Sequence, residues 1–352
     1  MKVSKLVNRG IKAYEKKNFY EARECFQKAL KIRMPDADRG IVLYNLGLCA
    51  YSTKKWIEAE RLFQTSMSFG HLSSGWELSL SQLHQGKLEG FKYFPYRYLG
   101  SVQKFPNLPI PRIKKLNDLV GCSRLLVLNE QGFGDELLFS RGLELIQNQD
   151  YSYQVYPETL TLFRHWWKGH FFTERSFDYD FATSYQAWIP AGDLFALFCL
   201  ETSLSPSLFP VPTDPEGPIG FCFASNPKLK IAAEKSFSAE EFKAFLIPSG
   251  KELVSLQHGI STDFARNPDL PDFLATYQQL SGLSAVVTVD TSVAHLAALA
   301  QVPTYVVFKT HLDWRWTLTL YGDHVKAVRI EDLQKDFNLN RLHPSIDQRR
   351  RV

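Results

Sequence analysis

A short polar turn between two apolar segments carries the first residues suited to chemistry. The stretch LNEQGFGDELLFSRG (128–142) passes from a buried strand pattern through Gly132 and Gly134 to Asp135, which opens a helix pattern. Glycines at such a turn let the chain bend tightly and let another group approach the backbone. A dinucleotide fingerprint would need a third glycine where Leu137 stands, so the sequence does not favour a nicotinamide site. Two interpretations of Asp135 stay open: a first-turn residue stabilised by the helix dipole, or a general base.

A second strand-to-helix turn offers groups that would suit an anion. In AVVTVDTSVAHLAALA (285–300), Asp290, Thr291 and Ser292 are consecutive N-cap residue types before a helix of small residues. Free amides at the helix start and two hydroxyls would suit a phosphate, although no Walker lysine follows. An ordinary capped helix is the alternative. His295 is either a core residue of this helix or a contact of the same ligand.

Alternating strand and helix patterns must position both turns. This alternation predicts parallel sheets, because each helix connects two strands that run in the same direction. The proline-rich stretch SPSLFPVPTDPEGP (205–218) divides the alternation into two similar α/β halves. Ligands of such folds bind at the carboxyl ends of strands, so we expect a cleft between the halves. The strand patterns are 124–130, 153–157, 219–224, 252–257, 285–290 and 304–308, and the helix patterns are 135–147, 158–167, 238–246, 271–280 and 292–300.

The first hundred residues follow a different, helical repeat. GIKAYEKKNFYEARECFQKAL (10–30) matches GLCAYSTKKWIEAERLFQTSM (47–67) at an offset of 37, and 75–97 is a degraded third copy. Glycine or alanine where helices cross, with aromatic residues between them, is typical of paired amphipathic helices. The pattern resembles tetratricopeptide repeats, whose unit is about 34 residues long. Such a module either docks an acceptor or partner protein or only packs against the rest of the chain, and the sequence leaves both open.

Composition narrows the class of protein. The chain has 352 residues, of which 45% are hydrophobic and 22% charged, and this length and composition indicate a globular protein of several domains. Its net charge of +4 does not by itself indicate binding to nucleic acid. Five scattered cysteines without metal-binding spacing fit a reducing cytosol. The charged N-terminus lacks the apolar core of a signal peptide, and no apolar run approaches the roughly 18–20 residues of a membrane span. We therefore expect a cytoplasmic protein without a membrane span.

Together these segments resemble bacterial proteins that join tetratricopeptide repeats to a heptosyltransferase-like domain of the glycosyltransferase family 9 type. The resemblance covers about residues 10–330. It implies TPR-like helical repeats followed by a GT-B fold, in which two Rossmann-like domains face a cleft. It also implies that a sugar moves from a nucleotide-sugar donor to a hydroxyl-type acceptor, a glycan or a protein, without a metal or other cofactor. The segments that carry it, in the same order, are GKLEGFKYFPYR (86–97), LLVLNEQGFGDELLFSR (125–141), IGFCFASNP (219–227), KSFSAEEF (235–242), LVSLQHG (253–259), VDTSVAHLAALAQVP (289–303) and DWRW (313–316).

The resemblance further implies roles for individual residues. Asp135 would be the catalytic base. The diphosphate would lie at Thr291, Ser292 and Val293, and Lys235 would be its cation. The complete set expected to bind the nucleotide-sugar comprises Gly132, Gly134, Lys235, Gln257, Gly259, Asp290, Thr291, Ser292, Val293 and His295.

The chain departs from the family pattern at a few positions. Glu136 follows GxGD where the family usually has Thr, and Ala298 and Ala300 replace glycines after AHLA. These departures are compatible with the resemblance, and they bear on the choice of donor or acceptor. The triplet Asp178–Tyr179–Asp180 is a DxD motif, which holds a metal in other glycosyltransferases. Its weakly patterned surroundings favour no metal site here.

The predicted domains are TPR-like repeats (1–100), an acceptor-binding Rossmann-like domain (101–212), a nucleotide-sugar-binding Rossmann-like domain (213–332) and a C-terminal helix with a basic tail (333–352). Two alternatives stay open. One is a repeat-bearing scaffold whose GT-B-like body has lost catalysis. The other is a glycosyltransferase that modifies DNA bases, which the net charge and the arginines at 349–351 permit without favouring.

Overall fold

The computed structural model describes residues 3–99, 105, 107–173, 179–202, 209–228, 232–310, 312–330 and 332. The chain divides into two compact units, Met1–Asn107 with Cys199–Glu201, and Leu108–Phe198 with Thr202–Val352. The first is helical and the second is α/β. The division of the α/β part at 212 stays a prediction. Asp178 of the DxD triplet and the predicted C-terminal helix with its basic tail (333–352) lie outside the described residues.

The helical unit repeats one packing contact. A β-carbon on Gly10 would lie 2.6 Å from the Phe26 ring, and one on Gly47 would lie 2.6 Å from the Phe63 ring. Each glycine therefore lets a phenylalanine fill the space between two helices, so the sequence repeat is also a repeat of packing. Assignment to the tetratricopeptide class stays a prediction. The helices are α1 (Val3–Glu15), α2 (Phe19–Leu30), α3 (Asp36–Ser52), α4 (Trp56–Ser68) and α5 (Ser74–Leu83).

The third copy of the repeat ends differently. A 3₁₀ helix, Leu88–Tyr98, stands where the second α-helix of a pair would be. It contains Pro95, whose ring removes a backbone donor and disfavours continuous α-helix.

The first sheet of the α/β unit is parallel, in the order β3-β2-β1-β4. Its strands are β1 (Arg124–Leu128), β2 (Asp150–Gln154), β3 (His170–Phe172) and β4 (Ala187–Pro190). The strand order reverses between β1 and β4, which makes the carboxyl ends of these strands a ligand-binding switch point. The helices of this half are α6 (Phe133–Phe139), α7 (Leu160–Trp166), α8 (Tyr179–Thr183) and α9 (Ala191–Glu201).

The second sheet is also parallel, in the order β6-β5-β7-β8-β9. Its reversal lies between β5 and β7, so a second switch point faces the carboxyl ends of those strands. The strands β5 to β8 are apolar and almost entirely buried, as is typical of the strands of a parallel sheet. The elements are β5 (Ile219–Cys222), α10 (Ala232–Lys235), α11 (Ala239–Leu246), β6 (Leu253–Ser255), α12 (Phe273–Gln279), β7 (Ala285–Val289), α13 (Ser292–Leu299), β8 (Thr304–Phe308) and β9 (Val325–Arg329).

Within the described ranges, no helix has both the length and the apolar character needed to cross a membrane.

Candidate active site at two helix starts

The structure brings the two sequence turns to one place. Helix α6 begins after β1 and α13 begins after β7, and the two helices pack against each other. The contact depends on Gly134, because a β-carbon there would lie 2.8 Å from Cδ2 and 3.2 Å from Nε2 of His295. The group that Gly134 lets approach the backbone is therefore the imidazole of the second turn.

The tight bend before α6 falls on Gln131 rather than on Gly132. Gln131 has a φ of 63°, in the left-handed region. Gly132 is the extended N-cap of α6 (φ −103°, ψ 179°), and a β-carbon there would meet nothing within 4 Å. Gly132 is thus not required by the backbone conformation, and it borders open space at the helix start.

Asp135, in the first turn of α6, is held by Arg315. Arg315 lies in the 3₁₀ helix Trp314–Trp316, within the DWRW segment. Its Nε and Nη2 donate to the same oxygen, Oδ1 of Asp135, at 2.8 and 2.5 Å. Its Nη1 donates to Asp313 at 2.7 Å, and its guanidinium carbon lies 4.5 Å from the ring centroid of Trp314. Both Asp135 and Arg315 are largely buried, with side chains 17% and 16% exposed.

Burial raises the pKa of the Asp135 carboxyl above its usual range, while the Arg315 charge and hydrogen bonds oppose that rise. Asp313 behaves differently. Burial also disfavours its charge, but Arg315 outweighs burial and lowers the pKa of Asp313 to about 2. A carboxylate with the higher pKa accepts a proton more readily, so Asp135 is the better general base of the two.

The DWRW segment also contacts the second turn. Trp316 Nε1 donates to Oδ1 of Asp290 at 2.8 Å, and Lys235 Nζ donates to Oδ2 of Asp290. Lys235, expected as the cation of a diphosphate, therefore forms an ion pair with Asp290. One short segment thus fixes Asp135 through Arg315 and Asp290 through Trp316.

The start of α13 presents backbone donors. Among the described residues, none accepts a hydrogen bond from the backbone N–H of Ser292 or Val293. Ser292 is half-buried and Val293 is 9% exposed. The Thr291 hydroxyl is engaged within the protein, 3.3 Å from the Thr288 hydroxyl and 3.8 Å from the Cys222 sulfur. The helix start therefore offers two N–H groups and the Ser292 hydroxyl to an anion.

His295 is a packed core residue. It is 3% exposed, its Nδ1 is bonded to the Tyr321 hydroxyl, and its ring lies 4.6 Å from the Trp316 ring. Burial lowers its pKa to about 3. The imidazole is therefore neutral at neutral pH and cannot offset a phosphate charge. Its position supports packing between α6 and α13 rather than direct contact with a diphosphate.

Gln257 and Gly259 lie beyond β6, near the second switch point. Gln257 Oε1 accepts from the Ala224 N–H at 3.0 Å and from the Cys222 thiol at 3.3 Å, which ties the ends of β5 and β6 together. Gly259 is exposed and has a φ of 72°, a conformation that favours glycine. Contact of either residue with a nucleotide stays a prediction.

Glu136, the departure from the family pattern after GxGD, has a structural role. It is fully buried, and its carboxylate accepts hydrogen bonds from Asn129 Nδ2 at 2.7 Å, from the Tyr156 N–H at 2.9 Å and from the Thr159 hydroxyl. A buried carboxylate with several donors is fully satisfied. Glu136 therefore fixes the turn after β1 to the turn after β2.

Arg315 lies in the DWRW segment that carries the resemblance, but the resemblance implies no role for it. An arginine flanked by two tryptophans is a signal in itself, because a planar guanidinium stacks on aromatic rings. In the part of the chain that the structure describes, no group of three or more His, Cys, Asp or Glu side chains is placed to hold a metal ion. That the chain needs no metal stays a prediction.

No family model and no curated protein matches this sequence. Several solved structures resemble its fold. E. coli heptosyltransferase WaaC with ADP is 13% identical, with a TM-score of 0.40, over 62% of this chain and 99% of that chain. A glycosyl transferase family 9 protein from Veillonella parvula is 11% identical, with a TM-score of 0.41, over 61% of this chain and 88% of that chain. An O-GlcNAc transferase from Thermobaculum terrenum is 12% identical, with a TM-score of 0.31, over 96% of this chain and 89% of that chain. Likenesses at these scores establish neither family nor activity.

Proposed function

We propose that this chain is a glycosyltransferase that moves a sugar from a nucleotide-sugar donor to a hydroxyl of a glycan or protein. One observation carries the proposal. The switch points of two parallel sheets place a buried carboxylate, Asp135, and the free N–H groups of Ser292 and Val293 at two helices that contact each other. A base beside an anion site suits a reaction in which a hydroxyl loses a proton while a phosphate leaves.

The proposed reaction is a displacement at the anomeric carbon. The acceptor oxygen attacks that carbon and forms the new glycosidic bond. The bond from the anomeric carbon to the diphosphate oxygen breaks, and the nucleoside diphosphate leaves with the electron pair. Asp135 takes the proton of the acceptor hydroxyl. Amides at the start of α13 stabilise the charge on the leaving group, which is why the proposal requires no metal.

Replacing the base tests this function. Loss of a positioned general base costs about 10²–10⁴-fold in rate. We expect Asp135→Asn to lower kcat for sugar transfer by that order and to leave the Kd of nucleoside diphosphates within about twofold, because α13 is intact. Transfer assays sampled at fixed times measure kcat, and isothermal titration calorimetry measures the Kd.

Asp150→Asn is the matched control for this substitution. Asp150 is exposed at the amino end of β2, opposite the carboxyl ends that form the site. We expect the turnover of the Asp150→Asn variant to equal that of the unaltered chain. Equal turnover of Asp135→Asn and Asp150→Asn would remove Asp135 from the base role.

A second candidate function is a repeat-bearing scaffold without catalysis. The ion pairs favour it, since Lys235 binds Asp290 and Arg315 binds Asp135 and Asp313. Release of nucleoside diphosphate from a panel of nucleotide-sugars, with and without sugar or peptide acceptors, separates the two functions. An enzyme releases nucleoside diphosphate from at least one donor, whereas a scaffold binds donors and leaves them intact.

A further inference from the structure

We propose that Arg315 is a positioning residue that holds one oxygen of the Asp135 carboxylate and leaves the other oxygen to take the acceptor's proton. This inference rests on the proposed function, because it assigns the partner of the proposed base.

Both hydrogen bonds that the Asp135 carboxylate accepts from Arg315 fall on the same oxygen. An arginine commonly binds a carboxylate with two parallel bonds, one to each oxygen. Here Nε and Nη2 of Arg315 both donate to Oδ1. No described residue donates a hydrogen bond to Oδ2 of Asp135. The arrangement fixes the carboxylate through one oxygen and keeps the lone pairs of the other free.

Arg315 is itself fixed on three sides. Asp313 Oδ1 accepts from Nη1 of Arg315 at 2.7 Å and from its backbone N–H at 3.1 Å. The Gln131 side-chain oxygen accepts from Nη2 at 3.3 Å, and the Trp314 ring lies 4.5 Å from the guanidinium carbon. A catalytic group is held in its productive geometry only when its neighbours are locked by packing and hydrogen bonds. Arg315 is such a neighbour of Asp135.

Charges around Asp135 make the cation necessary. The DWRW segment contributes Arg315 and Asp313, and the second turn contributes Asp290 and the neutral imidazole of His295. Lys235 is paired with Asp290. Without Arg315, the buried Asp135 carboxylate would face two other carboxylates, Asp313 and Asp290, and would have no cation bound to it. Its pKa would rise further, because burial and both neighbouring carboxylates already raise it.

A double-mutant cycle tests the inference. The variants are Arg315→Gln, Asp135→Asn and both together, assayed for kcat and for the Kd of a nucleoside diphosphate. Misplacing a catalytic group lowers the reaction rate by a factor on the order of 10². We expect Arg315→Gln to lower kcat by about that factor and to leave the Kd unchanged. The double variant should be no slower than Asp135→Asn, because a residue that acts through Asp135 has nothing left to position.

Two outcomes of the cycle overturn the inference. If the two losses of kcat multiply in the double variant, Arg315 acts independently of Asp135. If Arg315→Gln instead weakens nucleoside diphosphate binding and leaves kcat intact, Arg315 is a phosphate contact.

The pH profile distinguishes positioning from a merely structural role. An opposite charge at this distance lowers a carboxyl pKa by about 1–3 units, so Arg315→Gln should move the acidic limb of kcat/KM upward by that amount. Arg315→Lys keeps the charge but not the two converging N–H groups, so its kcat should fall while its acidic limb stays near the original pH. Arg266→Gln, on an exposed arginine that binds Glu252 and Gln279, is the control and should change neither quantity.

A measurement without turnover separates failure of this inference from failure of the proposed function. If no donor is consumed by the unaltered chain, the proposed function fails. Carboxyl-carbon NMR on chains with labelled aspartate, with Asp135→Asn for assignment, then gives the pKa of Asp135 directly. A rise of that pKa in Arg315→Gln supports the Arg315 assignment, and an unchanged pKa overturns it.

Discussion

Two carboxylates lie at the strand-to-helix turns after β1 and β7, and they differ in the hydrogen bonds that they accept. Asp290 has both oxygens occupied, Oδ2 by Lys235 and Oδ1 by Trp316. Asp135 has one oxygen bound by Arg315 and the other without a donor among the described residues. A carboxylate that must accept a proton needs a free oxygen, so the hydrogen bonds themselves favour Asp135 over Asp290 as the base.

His295 should make the fold sensitive to acid. Its pKa is lowered by burial from the usual 6.5 to about 3 in the folded chain. Between those values the unfolded chain binds the proton and the folded chain does not, so stability falls as the pH falls. The linkage relation gives a loss of about 2 kcal/mol in the free energy of unfolding between pH 7 and pH 5 from this group.

Urea unfolding of the unaltered chain and of His295→Gln at both pH values measures that contribution. The variant should show the smaller acid-dependent loss by about that amount, whatever its absolute stability. His258→Gln, on an exposed loop, should keep the original pH dependence. Parallel pH curves for the unaltered chain and His295→Gln would contradict the assignment.

At the residue scale, a local pattern singles out candidates but not their partners. Asp135 and Ser292 stand out because each lies in the first turn of a helix that follows an apolar strand. Arg315 was missed as a partner because it is 180 positions from Asp135. No periodicity links residues so far apart, and only the folded chain shows that they meet.

At the scale of elements, the two glycines of GFGD differ in what they permit. A β-carbon on Gly134 would overlap His295, which is buried and held by Tyr321, whereas one on Gly132 would meet nothing within 4 Å. Gly134→Ala gains up to about 1 kcal/mol of helix preference. Overpacking costs about 1–3 kcal/mol. We therefore expect a net loss of up to about 3 kcal/mol in the free energy of unfolding for Gly134→Ala.

Gly132→Ala is the matched control for that loss. It should change the same free energy by less than about 1 kcal/mol, the usual cost of exchanging glycine for alanine at an N-cap. Urea unfolding reports both values. If the two substitutions lower the free energy of unfolding equally, the contact between α6 and α13 does not limit the side chain that position 134 can carry.

Three strands that the sequence failed to predict, β3, β4 and β9, are short or partly exposed. β3 and β4 have three and four residues, too short for a period to show. β9 lies at the edge of its sheet, is partly exposed and carries two charged residues, Lys326 and Arg329, as edge strands do. The predicted helix at 135–147 is an α-helix only over Phe133–Phe139 and continues as a 3₁₀ helix. Long, apolar strands such as β1, β7 and β8 were predicted within two residues of their ends.

At the scale of the whole molecule, the two halves of the α/β unit differ in strand order. The first sheet runs β3-β2-β1-β4 and the second runs β6-β5-β7-β8-β9. The alternating pattern predicts parallel sheets but not their order, because order depends on which side each crossover helix lies. Strand order is what makes the ends of β1 and β7 switch points, so the candidate site is located by topology as well as by motif.

If the start of α13 binds a diphosphate, nucleoside diphosphates should stabilise the whole chain against heat. A ligand at 100 times its Kd adds about 2.7 kcal/mol to the native state. For a unit of this size that corresponds to a rise in Tm of roughly 5–10 °C. Differential scanning calorimetry of the full chain with a panel of nucleoside diphosphates and nucleotide-sugars measures the shift.

A proline at position 292 isolates the backbone donor in the same experiment. Proline is tolerated at the first residue of a helix, and Thr291 before it is already extended (φ −141°, ψ 173°). Ser292→Pro removes one free N–H together with the hydroxyl, whereas Ser292→Ala removes the hydroxyl alone. A hydrogen bond to a charged group contributes about 1.5–3 kcal/mol, so ligand affinity should fall roughly ten- to hundredfold more in the proline variant. Equal Tm shifts in both variants would mean that the N–H of residue 292 binds no anion, and the diphosphate site would have to lie elsewhere.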